Sequence, residues 1–135
     1  MEKFLPNPTI VSKPFWDGCR EGTLRLQQCG SCQRFVFYPA YMCPHCGGSS
    51  LEWKTTSGRG NVYSCTVVER QAGANDEPIV VALIELDEGP IMMSNVRAAN
   101  PYAVRIGDRV TVAFEQASED ITLPIFLPAD GAGAE

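Results

Sequence analysis

The chain has 135 residues, 44% of them hydrophobic, and its 11 basic and 16 acidic side chains give a formal net charge of -5. That length is enough for one domain or two very small ones, and it excludes two large independent cores. The acidic balance argues against general nucleic-acid binding, in which Lys and Arg side chains displace counterions from phosphates.

The N-terminal segment, residues 1–23, is predicted to be extended at first and then helical. Its start lacks a basic head followed by an apolar run, so we expect no secretory signal and a cytoplasmic protein. The stretch 13–22 has a proline in its first turn and a glycine at its end, which is typical of a short helix. The aromatic residues of this helix, Phe15 and Trp16, either complete the protein's own core or bind a partner.

Two Cys-x-x-Cys pairs, separated by ten residues, dominate the next segment, residues 24–56. A tight turn in each pair can direct two sulfurs to one centre, and four thiolates complete a closed tetrahedral shell of the structural type. Zinc is the favoured metal, and iron is the alternative because a four-sulfur site also suits it. The predicted ligands are Cys29, Cys32, Cys43 and Cys46.

The spacer between the two pairs is long enough for a hairpin. It can hold one strand, residues 35–38, followed by a turn around Pro39. Residues 51–54 extend this ribbon or support the domain that follows. His45 lies inside the second pair, and we expect it to face solvent because four cysteines already supply the ligands.

From residue 57 onward the hydrophobic pattern becomes that of strands. The first of these strands is expected to be buried on at least part of both faces, with Val62, Ser64, Thr66 and Val68 on one face and Tyr63, Cys65 and Val67 on the other. A polar loop follows at 71–77. Five strands are predicted, at 61–69, 79–86, 91–96, 110–115 and 121–127, the last one broken by Pro124.

These strands are most simply closed as a five-stranded OB-fold barrel over residues 57–128. The helix that usually precedes the fourth strand of this fold is expected to be absent, because Pro101 and Gly107 interrupt residues 98–108. The Ala- and Gly-rich tail, residues 129–135, is predicted to be disordered. The fold class is therefore mainly β.

Catalytic and membrane functions find little support in the sequence. Cys19 and Cys65 are predicted to be inert thiols, because a nucleophilic cysteine needs a nearby base and the only histidine lies in the metal knuckle. The longest apolar stretch, residues 78–84, is far below the roughly 20 residues of a membrane-spanning helix. Residues 57–60, Ser-Gly-Arg-Gly, could bring Arg59 to a phosphate or form a simple turn.

Several of these motifs occur together in one known family. Phe15-Trp16, the two cysteine pairs with Tyr38-Pro39 between them, the Ser-Gly-Arg-Gly stretch and Gly107-Asp108 followed by alternating apolar residues resemble the acyl-CoA-associated zinc-ribbon/OB-fold family, long called domain of unknown function thirty-five. The resemblance covers about residues 13–127. It implies a helical segment, a rubredoxin-like zinc ribbon and an OB-fold in series.

The resemblance also implies a function. Members are non-catalytic subunits of thiolase-superfamily enzymes, which include thiolases, hydroxymethylglutaryl-CoA synthases and thiolase-like aldolases, and they support acyl-CoA binding, stability or substrate transfer. A heterotetramer with two copies of each chain is implied, and Arg59 or Arg97 could contact the phosphates of coenzyme A. Two alternatives stay open, namely a single-stranded nucleic-acid-binding module and an iron rubredoxin-like electron carrier.

Overall fold

The computed structural model of the chain describes residues 9–69 and 78–129. The predictions for the first eight residues, for the polar loop and for the tail from residue 130 onward lie outside the described residues. None of the described helices is long and apolar enough to cross a membrane. The elements are α1 (Lys13–Glu21), β1 (Arg25–Cys29), β2 (Phe35–Val36), β3 (Leu51–Thr55), β4 (Arg59–Val68), β5 (Ile79–Leu86), β6 (Ile91–Val96), β7 (Arg109–Gln116) and β8 (Thr122–Pro128).

The predicted short helix is confirmed as α1. A proline lies in its first turn, where the missing N–H leaves no helix bond unmade. The helix ends at Gly22, which has a φ of 84° and donates its amide to the Cys19 carbonyl. A helix of nine residues is marginal alone. It is held by its apolar face, where Phe15 is 1% and Trp16 8% exposed.

The ribbon is a three-stranded antiparallel sheet in the order β2-β1-β3. Residues 51–54 therefore extend the ribbon, since β3 pairs with β1 along its whole length. The predicted strand at 35–38 is shorter than expected and ends after Val36. Beyond that point the chain turns away and is fixed by the Gln27 side chain, which hydrogen-bonds both backbone groups of Ala40.

The remaining strands form a closed barrel in the order β4-β5-β6-β8-β7, and pairing of β7 with β4 completes the circle. This confirms the mainly β fold class and the five-stranded OB-fold. Between β6 and β7 the chain makes a single 3-10 turn, Pro101–Ala103, in place of a helix. The barrel core includes Ile84 and Phe126, which are completely buried, and it is continuous with the apolar face of α1.

Two details of the predicted strands are wrong. The period of β4 changes at a bulge between Val62 and Ser64, so that Cys65 and Val67 follow Val62 toward the core and the predicted face of alternate residues does not continue. The last strand is also not broken at Pro124. It runs through this residue, which pairs with Phe114 of β7, because the missing N–H lies on the side where pairing with β6 is sparse.

Candidate metal centre and adjoining surface

The four predicted cysteines come together at one end of the ribbon, two from each knuckle. Their sulfur atoms all lie within 4.8 Å of one another. The Sγ atoms of Cys29 and Cys46 are 3.6 Å apart, and those of Cys32 and Cys43 are 3.7 Å apart. A tetrahedral ion with bonds of about 2.3 Å to sulfur places its ligands roughly 3.8 Å from each other. The cluster is thus positioned for metal binding.

The knuckle backbones supply amides to the sulfurs. The amide of His45 donates to Cys43 Sγ over 3.3 Å. The backbone amide of Cys32, followed in strength by that of Ser31, lowers the pKa of Cys29 to about 6 against the opposing effect of burial. Each knuckle needs one left-handed residue, Gln33 with a φ of 67° in the first and Gly47 with 79° in the second. The knuckle amides thus favour the thiolate form of Cys29, which is the form that metals bind. At Cys46 the Gly48 amide acts to lower the pKa, but hydrogen bonding to the other three cysteine side chains, together with burial, raises it to about 11.

The centre is buried on its inner side and open on its outer side. Cys29 and Cys43 are at most 2% exposed and pack with Val36, whereas Cys46 is exposed. His45 is exposed, as expected, and its Nδ1 atom lies 3.4 Å from the Arg34 guanidinium. All four ligand positions are cysteines, so a bound ion would have a closed shell.

The other two cysteines have structural environments. Cys19 is 1% exposed in the core between α1 and the barrel, and burial raises its pKa to about 12, so the thiol stays protonated. Cys65 lies partly buried on β4 and its thiol donates weakly to the Val104 carbonyl at 3.8 Å. The buried, protonated thiol of Cys19 is therefore a poor nucleophile.

Both aromatic residues of α1 are buried and belong to the hydrophobic core. Phe15 packs edge-on against Trp16, with ring centroids 4.8 Å apart, and also contacts Phe37 and Tyr38 beyond β2. Phe15 therefore belongs to the protein's own core. Trp16 lies beside a shallow groove, and its indole Nε1 is buried with no hydrogen-bond partner among the described residues.

The two predicted arginines lie apart from this groove and in different settings. Arg97 Nη2 contacts both carboxylate oxygens of Glu115 at 2.7 Å. Arg59 is exposed at the start of β4, and its charge helps to lower the pKa of Asp87, although the hydrogen bond from Arg109 contributes most. Contact of Arg59 or Arg97 with coenzyme A stays a prediction.

The glycines around Arg59 are explained by packing. A Cβ on Gly58 would lie 2.4 Å from Val112 Cγ1, and one on Gly60 would lie 2.5 Å from the Glu85 carbonyl oxygen. The Ser57 amide already donates to a carboxylate of the protein, Glu88 Oε2, at 2.8 Å. These contacts favour the interpretation of this stretch as the turn that joins ribbon and barrel.

Comparison with known proteins now identifies the family. The model described as the ChsH2 rubredoxin-like zinc ribbon domain matches residues 16–52, and that of the ChsH2 C-terminal OB-fold domain matches residues 53–115. A "DUF35 domain-containing scaffold protein" of Methanothermobacter thermautotrophicus is 33% identical over 69% of this chain and 70% of its own length. The chain belongs to the DUF35 family. The recognition made from the sequence motifs is thereby confirmed.

Other relatives of this DUF35 chain differ in size and in name. A "probable enoyl-CoA hydratase alpha subunit" of Thermomonospora curvata is 36% identical over 92% of this chain, which spans 40% of that relative's length. Among solved structures, a chain described as "Ltp2-ChsH2(DUF35) aldolase" superposes with a TM-score of 0.82 at 31% identity, covering 93% of this chain and 99% of that one.

Two features of this DUF35 surface were missed by the sequence analysis. One is the buried Gln27, which fixes the turn after β2, and the other is the groove beside Trp16. The first has no sequence signal, because the adjacent Gln28 of β1 is the same residue type. The groove has no sequence signal, because its walls come from α1, the ribbon and the barrel.

Proposed function

We propose that this chain is a non-catalytic accessory subunit that binds a thiolase-superfamily enzyme. It supports that enzyme's acyl-CoA binding, stability or substrate transfer, and it acts in the cytoplasm. The observation that carries the proposal is the structural similarity to the chain described as "Ltp2-ChsH2(DUF35) aldolase", 99% of which is covered. The scaffold names of three archaeal relatives support the same role.

The proposed metal is structural zinc, held by Cys29, Cys32, Cys43 and Cys46. When bound, it supplies a cross-link between the two knuckles and leaves no coordination position for substrate. Its contribution to function is rigidity, because the ribbon has few apolar contacts of its own around the ligands. Iron would give a red protein and zinc a colourless one, so the visible spectrum of the purified protein separates the two.

The proposed complex contains two copies of each chain, and acyl-CoA binds where the subunits meet. Arg59 and Arg97 remain our candidates for the phosphates of coenzyme A, and Arg97 would have to exchange Glu115 for such a ligand. Replacing Arg59 or Arg97 with glutamine should raise the KM of the complex for its acyl-CoA. Arg105→Gln serves as the control, because Arg105 is an exposed arginine outside the prediction.

The binding experiment is co-expression with the thiolase-like protein encoded nearest to this chain, followed by size-exclusion chromatography with light scattering. The expected result is one peak that contains both chains in equal amounts at micromolar concentration. Separate peaks for the two proteins, each of them folded and with its metal content verified, would contradict the proposal.

A further inference from the structure

The four-cysteine cluster differs in exposure from one side to the other. Cys29 and Cys43 are at most 2% exposed and pack with Val36 on the inner side. Cys32 is partly buried, and Cys46 is the exposed member of the cluster. A metal ion needs a path into its site and out of it, and ligand exchange begins where an incoming donor can approach. The side of the cluster at Cys46 is therefore the accessible one.

A contact between two side chains joins the knuckles next to Cys46. His45 directly precedes Cys46, and Arg34 follows the first knuckle, where its carbonyl accepts from the Cys29 amide at 2.9 Å. Arg34 Nη1 lies 3.4 Å from His45 Nδ1. A guanidinium group can only donate, so the imidazole nitrogen is the acceptor. This Arg34–His45 bridge ties the exposed parts of the two knuckles to each other.

The bridge also brings a positive charge to the knuckles. Four thiolates carry twice the charge of a divalent cation, so a loaded centre is negative. Among the described residues, no carboxylate pairs with Arg34. Its guanidinium is thus not neutralised by an acidic side chain and offsets part of the charge of the centre. Loss of Arg34 should therefore make release of a thiolate and of the ion easier.

Gly48 leaves open space beside the exposed ligand. Its carbonyl accepts from the Cys43 amide at 2.8 Å, and its own amide acts on the Cys46 sulfur. A Cβ at Gly48 would lie 3.4 Å from Cys46 Sγ and 3.3 Å from Ser31 Oγ. Gly48 does not have a positive φ, so alanine can adopt its backbone conformation. A methyl group here would occupy part of the approach to Cys46.

We propose that the metal ion enters and leaves the centre at the Cys46 side, and that Arg34, positioned by His45, restrains this exchange. Cys46 gives up its bond first, and its sulfur keeps the electron pair as a thiolate while a donor atom of the incoming chelator takes its place. Cys29 and Cys43 hold the ion until last because they are buried. The inference goes beyond the proposed function, since it concerns the isolated chain and not the partner enzyme.

The role of Arg34 is tested by the rate of zinc loss from the purified full chain. The probe is an excess of tetrakis(2-pyridylmethyl)ethylenediamine, a neutral chelator that the charge of Arg34 does not attract, and bound zinc is measured by elemental analysis after gel filtration. We expect Arg34→Gln to lose zinc about three to five times faster than the unchanged chain. Arg105→Gln, at an exposed position on the barrel, is the control and should leave the rate unchanged. Equal rates for both variants would overturn the assignment of Arg34.

A double variant separates positioning from a general loss of stability. His45→Ala should raise the rate as much as Arg34→Gln does, and the two changes together should add nothing further, because one bridge is lost in each case. The urea midpoint of the zinc-loaded variants should stay close to that of the unchanged chain. Additive rates, or rates that simply follow a lowered midpoint, would show that His45 does not act through Arg34.

The route is tested by a change in the opposite direction. Gly48→Ala, loaded with one equivalent of zinc, should lose the metal at least about twofold more slowly, because its methyl group narrows the approach to Cys46. Ser49→Ala, at the exposed neighbouring residue, should not change the rate. An unchanged or faster loss from Gly48→Ala would contradict the proposed route.

The order of release is tested without any substitution. The zinc-loaded chain is treated with the chelator and N-ethylmaleimide together, stopped at intervals and mapped by peptide mass spectrometry. Cys46 should be alkylated ahead of Cys29 and Cys43. Simultaneous alkylation of the three, or alkylation of Cys29 or Cys43 before Cys46, would overturn the inference and leave the proposed function untouched.

Discussion

Gln27 offers a stringent test of how the ribbon is held together. Its side chain is 4% exposed, and its amide donates to the Ala40 carbonyl at 2.9 Å while its Oε1 accepts from the Ala40 amide at 2.8 Å. Each such bond contributes about 1 kcal/mol net, and the groups left behind lose a partner in a half-buried position. We therefore expect Gln27→Ala to lower the free energy of unfolding by about 2 to 3 kcal/mol.

The neighbouring Gln28 is the matched control. It makes one exposed hydrogen bond, from Nε2 to the Gln33 carbonyl at 3.0 Å, so Gln28→Ala should cost at most about 0.5 kcal/mol. The assay is urea unfolding of both variants at equal, verified metal content. Gln27→Glu adds a second check, because a protonated carboxyl can donate to the Ala40 carbonyl and a carboxylate cannot. Its deficit should shrink as the pH falls. Equal losses for Gln27→Ala and Gln28→Ala would refute the reasoning.

Three further predictions concern the metal, the barrel and a surface ion pair. Cys43→Ser should reduce bound metal from about one equivalent to below half by elemental analysis, whereas Cys65→Ser should leave it unchanged, and equal retention would contradict the assigned ligands. Gly60→Ala should lower the free energy of unfolding in urea by roughly 1 to 3 kcal/mol, because the new Cβ would lie 2.5 Å from a carbonyl oxygen of β5. An unchanged free energy of unfolding would show that the β5 backbone can shift to make room for the methyl group. Asp87→Asn removes the exposed ion pair with Arg109, which lowers the pKa of the Asp87 carboxyl. The variant should lose less than about 1 kcal/mol of unfolding free energy at neutral pH, and this loss should vanish as the pH falls below 3.8, where the carboxylate of the unchanged chain becomes protonated. A loss of stability that persists in acid would argue against the ion pair.

The parts of the fold that follow from local pattern could be predicted from sequence. The spacing of the cysteine pairs indicates one centre because each pair must turn within four residues. Gly22 marks the end of α1, because glycine adopts the left-handed backbone conformation at a helix end without steric strain. The β-branched run at 79–86, the turn after it and the alternation at 110–115 predicted β5, β6 and β7, because each of these signals lies within the strand or next to it.

The parts of the fold that depend on contacts between distant residues could not be predicted from the sequence. The bulge after Val62 changes which residues of β4 face the core, and it is specified by pairing with β5 and not by β4 alone. Gln27 and Gln28 are identical neighbours, and only the position of Ala40, thirteen residues from Gln27, distinguishes them. The groove exists only after the helix, the ribbon and two parallel strands have assembled.

We propose that this chain works on another protein's active site. The most direct measurement is turnover of acyl-CoA by the neighbouring thiolase-like enzyme, alone and with the metal-loaded chain added at increasing ratio. We expect the chain alone to be inactive, and the activity of the enzyme to rise and saturate at one copy of each chain. Turnover by the isolated chain would show that it is not an accessory subunit, and so would an enzyme whose rate and acyl-CoA affinity are the same with and without it.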